Sequence, residues 1–391
     1  MKKILIASVL SALAAAGCGG GSDDDVDAAT ANYPISTAST PVGQNTVWNF
    51  NVGDLNKDGL EDVVVGGWNF DSPGAFVYVL YQNPDGTLTD KTAQVLPNNV
   101  IPGNQKILVW DFDGNGWLDV VFPGFLDGSA MRATSTTILW GTGTGFARQN
   151  LGDSVMAHGA CMADLNFDGR MDMIVAGDGM AGTGGVYLNK GSRRFEIRPD
   201  LMPEGWTGFG ACAAIRRGST HTVYFGDHRT WLAQKDTVAI YSSTARVTST
   251  SSPGLEAGYD TIEVLAADVL GRGEPQFVIH RNGIAVPQPG PTLVMAAADG
   301  LNYSSTMNLG NRRSDFAGRT MVVDGGVGVL ISGDTNNATL FRGTGVYKPG
   351  RFKGMAGSSQ PFQPATVYQN SLTGKTYMLE LLGGVFKTQE M

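Results

Sequence analysis

Residues 53–66 read GDLNKDGLEDVVVG, an acidic, Gly-containing turn that leads directly into an apolar stretch. The pattern returns as DFDGNGWLDVV at residues 111–121 and as DLNFDGRMDMIVAG at residues 164–177. Short apolar runs bounded by Gly, Asn and Asp are strand signals, and a long regular period indicates one structural unit used many times. These three stretches therefore predict an all-β protein built from repeats.

Weaker copies of the unit follow at a mean spacing of about 52 residues and bring the number of units to seven. They lie at residues 210–226, 267–279, 321–333 and 367–379. In the first unit the pattern predicts strands at residues 47–53, 61–67, 75–82 and 88–95. Seven units of four strands are typical of a seven-bladed β-propeller. An open β-solenoid of similar repeats is the alternative.

The two ends of the repeat region predict how the ring closes. The seventh unit ends near Lys387 after three strands, whereas residues 33–40 precede the first unit without a place in it. A strand donated from residues 33–40 would remove the open edge of the last blade. We therefore expect the propeller to span residues 33–391, with its last blade closed by an N-terminal strand.

Residues 1–17 predict export from the cytoplasm. Lys2 and Lys3 precede an uncharged apolar run at residues 4–16. This run is shorter than the about 20 residues that span a bilayer, so it is typical of a secretory signal peptide.

Cys18 is the predicted site of a lipid anchor. It follows Ala15-Ala16-Gly17, which resembles the cleavage motif of bacterial lipoproteins, although that family prefers Leu where Ala15 stands. An ordinary signal peptide with an incidental Cys18 is the alternative. Residues 18–32 are rich in Gly and Asp and predict a flexible tether. We therefore expect a membrane-anchored lipoprotein outside the cytoplasm, at the outer membrane or cell surface.

The overall charge argues against one class of partner. The formal net charge is −8, and the chain lacks the basic patch that nucleic-acid binding requires. Much of the acidity lies in the three repeated turns. The sequence therefore excludes a nucleic-acid partner, and the three acidic turns are the main candidates for a functional site.

Each of the three turns carries oxygen-bearing side chains at alternate positions. Counting the first Asp as position 1, an acid or amide stands at positions 3 and 5, Gly at position 6 and Asp at position 9. Calcium takes about six to eight oxygen ligands, and the backbone carbonyl of position 7 can supply one of them. The predicted ligands are Asp54, Asn56, Asp58, Leu60 and Asp62 in loop 1 (residues 54–62); Asp111, Asp113, Asn115, Trp117 and Asp119 in loop 2 (residues 111–119); and Asp164, Asn166, Asp168, Arg170 and Asp172 in loop 3 (residues 164–172).

An EF-hand and an ordinary turn are the two other interpretations of these loops. An EF-hand is disfavoured because it needs a Glu at position 12 and flanking helices, and position 12 lies in an apolar stretch. Asp, Asn and Gly also favour ordinary turns, but three copies in phase with a repeat argue against that reading. We expect three structural Ca²⁺ sites of weak affinity, about 10⁻⁴ to 10⁻³ M. Later units lack the middle acid, where Arg216, Arg272 and Thr373 stand.

The acidic loops, together with Phe209-Gly210-Ala211, resemble the FG-GAP/VCBS repeat family of integrin-α-like propellers. The order of Asp113 and Asn115 in loop 2 is reversed relative to that pattern. The resemblance covers about residues 33–391, with specific motifs only in the first three units. It implies calcium-supported folding and frequent roles in adhesion or carbohydrate binding, and it implies no single activity.

The predicted ligand face lies at the end of the strands opposite the calcium loops. Its loops hold aromatic and charged side chains that suit a sugar or a peptide. The candidates are Trp68, His158, Trp206, His228, Arg229, Trp231, Tyr259, His280, Arg312 and Arg313. Polar residues also accumulate in loops, and Trp packs between blades, so a packing role is the alternative for each.

The sequence predicts a binding or adhesion scaffold for a carbohydrate or protein partner rather than an enzyme. No nucleophile motif or His-x-x-x-His spacing is present. A lyase or hydrolase acting on an extracellular polysaccharide, built from His158, His228 or His280, is the alternative. A subunit of an outer-membrane assembly is a third reading. Cys161 and Cys212 stand at matching places in neighbouring units, either disulfide-bonded or as two buried thiols.

Overall fold

A computed structural model of the protein describes residues 30–34, 46–69, 74–127, 132–182, 184–206, 208–227, 235–256, 258–283, 289–312, 318–323, 326–331, 339–343, 347–351, 365–382 and 385–390. Strand β1 (Thr30–Pro34) lies before the repeats. The first repeat contains β2 (Thr46–Gly53), β3 (Asp62–Asn69), β4 (Ala75–Phe76), β5 (Tyr78–Gln82), β6 (Leu88–Asp90), the short helix α1 (Thr92–Val95) and β7 (Val100–Ile101). Its sheet, the first sheet, has the strand order β2-β3-β5-β6.

The second and third sheets follow along the chain. The second repeat contains β8 (Leu108–Trp110), β9 (Asp119–Phe122), β10 (Leu126–Asp127), β11 (Arg132–Ala133), β12 (Thr137–Gly141) and β13 (Phe146–Asn150). The third contains β14 (Val155–Ala163), β15 (Asp172–Gly182), β16 (Gly185–Asn189), β17 (Phe195–Arg198) and a 3-10 turn at Pro199–Leu201. The sheets have the orders β8-β9-β12-β13 and β14-β15-β16-β17.

The fourth and fifth sheets repeat this arrangement with four consecutive strands each. Those of the fourth are β18 (Phe209–Arg217), β19 (Thr220–Asp227), β20 (Thr237–Tyr241) and β21 (Val247–Ser251). Those of the fifth are β22 (Tyr259–Ala267), β23 (Gln276–Gly283), β24 (Pro289–Ala296) and β25 (Ser304–Arg312).

Two further four-stranded sheets come from the C-terminal part of the chain. One contains β26 (Gly318–Val323), β27 (Gly326–Ile331), β28 (Thr339–Gly343) and β29 (Tyr347–Arg351). The last sheet contains β30 (Ala365–Gln369), β31 (Thr376–Leu382) and β32 (Val385–Glu390). Successive antiparallel four-stranded sheets with their first strands innermost form a β-propeller, which confirms the all-β prediction and rules out the solenoid.

The last sheet takes its fourth strand from the N-terminal region. Strand β1 pairs antiparallel with β32, and Tyr33 lies opposite Phe386. The sequence predicted such a donated strand at residues 33–40, but the strand runs from Thr30 to Pro34. It therefore begins inside the segment expected to be tether, and residues 35–45 lie outside the described part of the chain.

The first sheet departs from prediction at two strands. The predicted strand 75–82 is broken at Val77, whose N–H donates to the carbonyl oxygen of Asn99 over 2.8 Å, so β4 pairs with β7 instead. The predicted strand 88–95 stops at Asp90, and Thr92 begins a helical turn. The Oγ1 atom of Thr92 accepts the N–H of Val79 over 2.9 Å, which ties this turn to β5.

Apolar side chains of neighbouring sheets pack face to face. Val63 and Tyr78 of the first sheet lie in one buried cluster with Tyr368 and Phe386 of the last sheet, and the ring centroids of Tyr78 and Phe386 are 5.6 Å apart. Four further buried clusters join the first sheet to the second, and so on to the fifth. Burial of apolar surface is the main favourable term in folding, so each sheet depends on its neighbours.

A disulfide joins the third and fourth sheets at their innermost strands. Cys161 of β14 and Cys212 of β18 are bonded, with Cα atoms 5.6 Å apart. The two strands approach closely beside the bond, because a Cβ at Gly159 would clash with the carbonyl oxygen of Gly210. The sequence left this bond undecided, and the close approach of the two strands explains how both half-cystines meet.

An irregular arm replaces half of the innermost strand of the second sheet. Strand β8 has 3 residues, whereas β14 has 9. The arm, residues 103–107, precedes β8 and is tied to the first sheet by the side chain of Asn104, which donates to the carbonyl oxygen of Gly67 over 3.1 Å.

The described part of the chain contains no apolar helix of the length that a membrane span requires.

Candidate calcium loops and the opposite face

Loops 1, 2 and 3 share one backbone shape, set by the carboxylate at position 1. In loop 1, Asp54 accepts the N–H groups of Asp58 and Gly59, each over 3.0 Å. Loops 2 and 3 repeat these bonds at positions 5 and 6 over 2.8 to 3.1 Å. Gly59 has φ +87°, a conformation that glycine adopts without steric cost. The loops are therefore tight turns closed by their own first Asp.

The Asp at position 9 joins three strands of its sheet. Both oxygens of Asp62 accept backbone N–H groups, one from Leu55 and one from Gln82, each over 2.9 Å. Gln82 ends the third strand of the sheet. Asp119 makes the same pair of bonds with Phe112 and Gly141, and Asp172 makes it with Leu165 and Asn189.

These position-9 carboxyl groups are fully buried, with 0 % of each residue exposed. Burial raises the pKa of Asp62 and of Asp119 to about 7 and that of Asp172 to about 6, against the lowering effect of the backbone N–H donors. Neighbouring acids in each loop raise these pKa values further. The buried negative charge is therefore costly unless a cation offsets it.

Loop 2 brings its acids closest together. Asp111, Asp113 and Asp119 each have a carboxylate oxygen within 4.8 Å of the others, the one such group of three among the described residues. The predicted ligand atoms of loop 2 fit an oxygen-binding cation, because they are carboxylate, amide and carbonyl oxygens. Each carboxylate oxygen has two lone pairs, so a backbone hydrogen bond leaves room for a metal.

Loops 1 and 3 place their third acid at position 5 rather than 3. Asp58 accepts the side-chain N–H of Asn56 over 2.9 Å, and Asp168 accepts that of Asn166 over 3.0 Å. Both carboxylates also accept the N–H of position 7, from Leu60 and Arg170. The predicted ligands of each loop are therefore adjacent in space, and the metal itself stays a prediction.

The fifth sheet contains a related loop that lacks these acids. Asp268 accepts the N–H groups of Arg272 and Gly273, as Asp54 does in loop 1. Position 9 is Gln276, whose Oε1 accepts the N–H of Leu270 over 3.0 Å. The same turn therefore forms around a neutral amide, and the extra acids of loops 1 to 3 are not needed for its shape.

At the opposite end of the strands, two predicted ligand residues belong to an aromatic ladder. Trp68 contacts Phe125 edge-on with ring centroids 4.9 Å apart, and Phe125 contacts His158 at 4.8 Å. Trp68 is 7 % exposed, and the Nδ1 atom of His158 lies 2.8 Å from Oε1 of Gln105. The ladder joins the first three sheets, which favours the packing role for Trp68.

The predicted ligand residues of the fifth sheet also engage in internal bonds. His280 is buried, and its Nδ1 atom lies 2.8 Å from the Oγ1 of Thr292. Tyr259 is partly exposed, and its carbonyl oxygen accepts a guanidinium N–H of Arg281 over 2.7 Å. Its ring lies 5.7 Å from the same guanidinium.

Of the remaining predicted ligand residues, Trp206 and Arg312 lie in the described part of the chain. Trp206 packs, partly buried, against the cluster between the third and fourth sheets. Arg312 is the last residue of β25. Cys18, His228, Arg229, Trp231 and Arg313 lie outside the described residues.

Sequence reasoning missed an ion pair in the central channel. The arm places the Nζ of Lys106 2.6 Å from Oε1 of Glu263, on the innermost strand of the fifth sheet. The two residues are 157 positions apart in the sequence, so no local sequence pattern predicts that they pair. Sequence reasoning also missed the ion pair between Arg193 of the third sheet and Asp113 of loop 2. The Nε atom of Arg193 lies 2.8 Å from Oδ2 of Asp113.

Comparison with known proteins identifies one stretch of repeat sequence. Residues 54–122 match the family model described as an FG-GAP-like repeat. No curated protein matches the sequence.

Three solved structures are similar in fold. The propeller of Dos1 shares 9 % identity over 87 % of this chain and 77 % of that chain, with a TM-score of 0.47. The V. cholerae biofilm matrix protein Bap1 shares 14 % over 89 % and 59 %, with a TM-score of 0.40. The Aleuria aurantia lectin, in complex with α-methyl-L-fucoside, shares 10 % over 84 % and 100 %, with a TM-score of 0.47.

Proposed function

We propose that this chain binds calcium through loops 1 to 3 and serves as a scaffold for a carbohydrate or protein partner; the FG-GAP-like repeat matched at residues 54–122 supports the proposal. The convergence of Asp111, Asp113 and Asp119 in loop 2 carries the calcium part of the proposal. When bound, the metal would neutralise the acids of each loop, including the buried Asp at position 9. Because that charge is buried at the junction of three strands, its neutralisation would stabilise the folded sheet.

Thermal unfolding of the mature protein tests the metal. We expect Ca²⁺ to raise the midpoint relative to a chelator, since each site contributes about 1.4 kcal/mol when free calcium is about ten times Kd. Mg²⁺ should act less, because it demands octahedral geometry and keeps its waters. No shift with millimolar-range calcium would contradict the proposal.

The fifth-sheet loop supplies a matched control. Asp54→Asn, Asp111→Asn and Asp164→Asn should each remove part of the calcium-dependent rise in midpoint, because each disables one of three sites. Asp268→Asn changes the same position of a loop without the other acids. It should lower the midpoint equally in calcium and in chelator, which separates turn formation from metal binding.

We also propose that the sheets form a closed ring of seven blades, with the two C-terminal sheets as blades six and seven. The pairing of β1 with β32 supports this arrangement, because it gives the last sheet four strands. A crystal structure grown in calcium would count the blades.

The partner is proposed to be recognised mainly through polar contacts. Among the described residues, the exposed large hydrophobic side chains are Val100, Trp110 and Leu372. These do not make the broad apolar patch that is typical of a tight protein interface. Glycan arrays and pull-downs with the calcium-loaded protein test this point. A partner bound equally well by the chelated, folded protein would leave calcium a purely structural role.

A lipid anchor at Cys18 and an extracytoplasmic location at the outer membrane or cell surface complete the proposal. The Cys161–Cys212 disulfide supports the location, because such bonds persist in oxidising compartments. Cys18→Ser should move the protein from the membrane fraction to the soluble fraction. An unchanged membrane fraction would exclude the anchor.

A further inference from the structure

Loop 2 receives a positive charge from the neighbouring sheet. Arg193 lies in the turn between β16 and β17 of the third sheet, and its Nε donates to Oδ2 of Asp113 over 2.8 Å. The Asp113 side chain is 7 % exposed and that of Arg193 is 38 % exposed. Water therefore screens this ion pair only partly, and the guanidinium lies against the acid cluster of loop 2.

The backbone at Arg193 is one that glycine adopts more readily. Arg193 has φ +60° and follows Ser192 at +51°. The matching turn positions of the first and fourth sheets are Gly86 at +86° and Ala245 at +58°. Residues with a side chain are disfavoured in this left-handed region. Arg193 therefore occupies a turn position that favours glycine, and its side chain extends from there to Asp113.

The turn is held so that the guanidinium faces loop 2. The carbonyl oxygen of Arg193 accepts a side-chain N–H of Gln149 over 3.4 Å, and Gln149 in turn accepts the indole N–H of Trp140 over 2.8 Å. The guanidinium carbon lies 5.3 Å from the Trp140 ring centroid. Residues of the second sheet therefore fix both the backbone and the side chain of Arg193.

Of the three loops, only loop 2 has an acid at position 3, where it can pair with Arg193. Loops 1 and 3 have Asn56 and Asn166 there, and loop 2 has Asp113. Loop 3 has its own pair, with Nη2 of Arg170 2.5 Å from Oδ2 of Asp168, but there the acid is 25 % exposed. Solvent screens that pair more strongly than the pair in loop 2.

We propose that Arg193 is a resident cation of loop 2 that opposes calcium and makes this loop the weakest of the three sites. The inference rests on the proposed calcium function. Without metal, Arg193 neutralises part of the acid cluster and links the second and third sheets. Calcium at the same cluster is repelled by the guanidinium, so loop 2 fills after loop 1 and loop 3 as calcium rises.

Terbium luminescence provides a test that reads the metal directly. Tb³⁺ substitutes for Ca²⁺ at oxygen sites, and Trp117, a residue of loop 2, can sensitise its emission. Lys57 of loop 1 lies 4.2 Å from the Trp117 ring, so loop 1 also contributes to the signal. The loop 2 component is therefore taken as the part that Asp111→Asn abolishes.

Arg193→Gln should tighten Tb³⁺ binding of the loop 2 component about three- to ten-fold, because one nearby positive charge is removed. Arg193→Lys should stay near wild type, and Arg194→Gln, which removes the adjacent charge, should leave the component unchanged. In chelator, Arg193→Gln should lower the melting temperature, because the link between the sheets is lost.

Equal loop 2 affinities for wild type and Arg193→Gln, or weaker binding by the variant, would overturn the role of Arg193 and leave the calcium proposal intact. Absence of Tb³⁺ and Ca²⁺ binding in both proteins would instead refute the proposed function itself. A tightening that persists when Asp111→Asn disables loop 2 would also overturn the inference, because the effect would then arise elsewhere.

Discussion

His221 is a buried histidine at the beginning of β19, and its ring centroid lies 4.7 Å from that of Phe167 in loop 3. Its Nδ1 atom has no hydrogen-bond partner among the described residues. Burial lowers the pKa of His221, and the positive charge of Arg216 lowers it further. The folded state therefore disfavours the protonated ring at this position.

The lowered pKa of His221 makes stability depend on pH. His221 binds its proton less readily when folded than when unfolded, so its contribution to stability is full above the unfolded pKa of about 6.5 and is lost as pH falls below it. We expect the free energy of unfolding of wild type to fall relative to that of His221→Phe as pH drops from about 8 to about 5.5, because the buried Asp62, Asp119 and Asp172 contribute alike to both proteins. Denaturant unfolding in chelator measures this without interference from calcium.

Two comparisons make the histidine prediction specific. Arg216→Gln should also reduce the loss, because it removes the second cause of the lowered pKa. If His221→Phe and wild type lose the same free energy of unfolding over this pH range, the histidine is not responsible.

At the scale of elements, the disulfide connects the innermost strands of two sheets, with Cys161 and Cys212 51 residues apart. Closing a loop of this length restricts the unfolded chain, so the double variant Cys161→Ala/Cys212→Ala should lose about 2–4 kcal/mol of unfolding free energy. Denaturant titration measures the loss. A reductant should lower wild-type stability by a similar amount and leave the double variant unchanged; equal sensitivity of both would contradict the prediction.

The arm is the second connecting element. Gln105 contacts His158 of the third sheet and Lys106 pairs with Glu263 of the fifth, so the arm links sheets across the channel. The Lys106 and Glu263 side chains are 25 % and 12 % exposed, which places their pair between surface and buried cases. A double-mutant cycle with Lys106→Met and Glu263→Gln should give a coupling of about 1–2 kcal/mol. Additive losses would show that the two side chains do not stabilise each other.

The sequence predicted the elements that repeat and missed those that do not. Loops 1 to 3 and the strands that follow them could be located because the same residues return in phase. The arm could not be predicted, because no sequence pattern around residues 103–107 indicates that the strand is short there. Its contact partners also lie in distant repeats. Trp68 and His280 show the limit for surfaces: loop composition does not distinguish a ligand contact from a side chain that packs or bonds inside the protein.

At the scale of the whole molecule, the acid loops are confined to the N-terminal part of the propeller. Loops 1 to 3 belong to the first three sheets, and the corresponding loop of the fifth sheet has Arg272 and Gln276 instead of acids. Loop 1 also contacts the last sheet, because Glu61 accepts the N–H of Gln369 over 2.7 Å and the carbonyl oxygen of Gly59 accepts the Ser371 hydroxyl over 2.6 Å. Calcium is therefore expected to stabilise a connected arc of sheets rather than the propeller as a whole.

Hydrogen exchange with and without calcium tests this distribution. Amides in residues 54–62, 111–119 and 164–172 should exchange more slowly in calcium, and so should the amide of Gln369, because a local opening must first break bonds that the metal strengthens. Amides of β19 and β23 should change little. Asp54→Asn should abolish the slowing at loop 1 and at Gln369 while leaving loop 3 unaffected. Uniform slowing across all sheets would mean that the ring opens as one unit, and the confinement of calcium stabilisation to an arc would then be wrong.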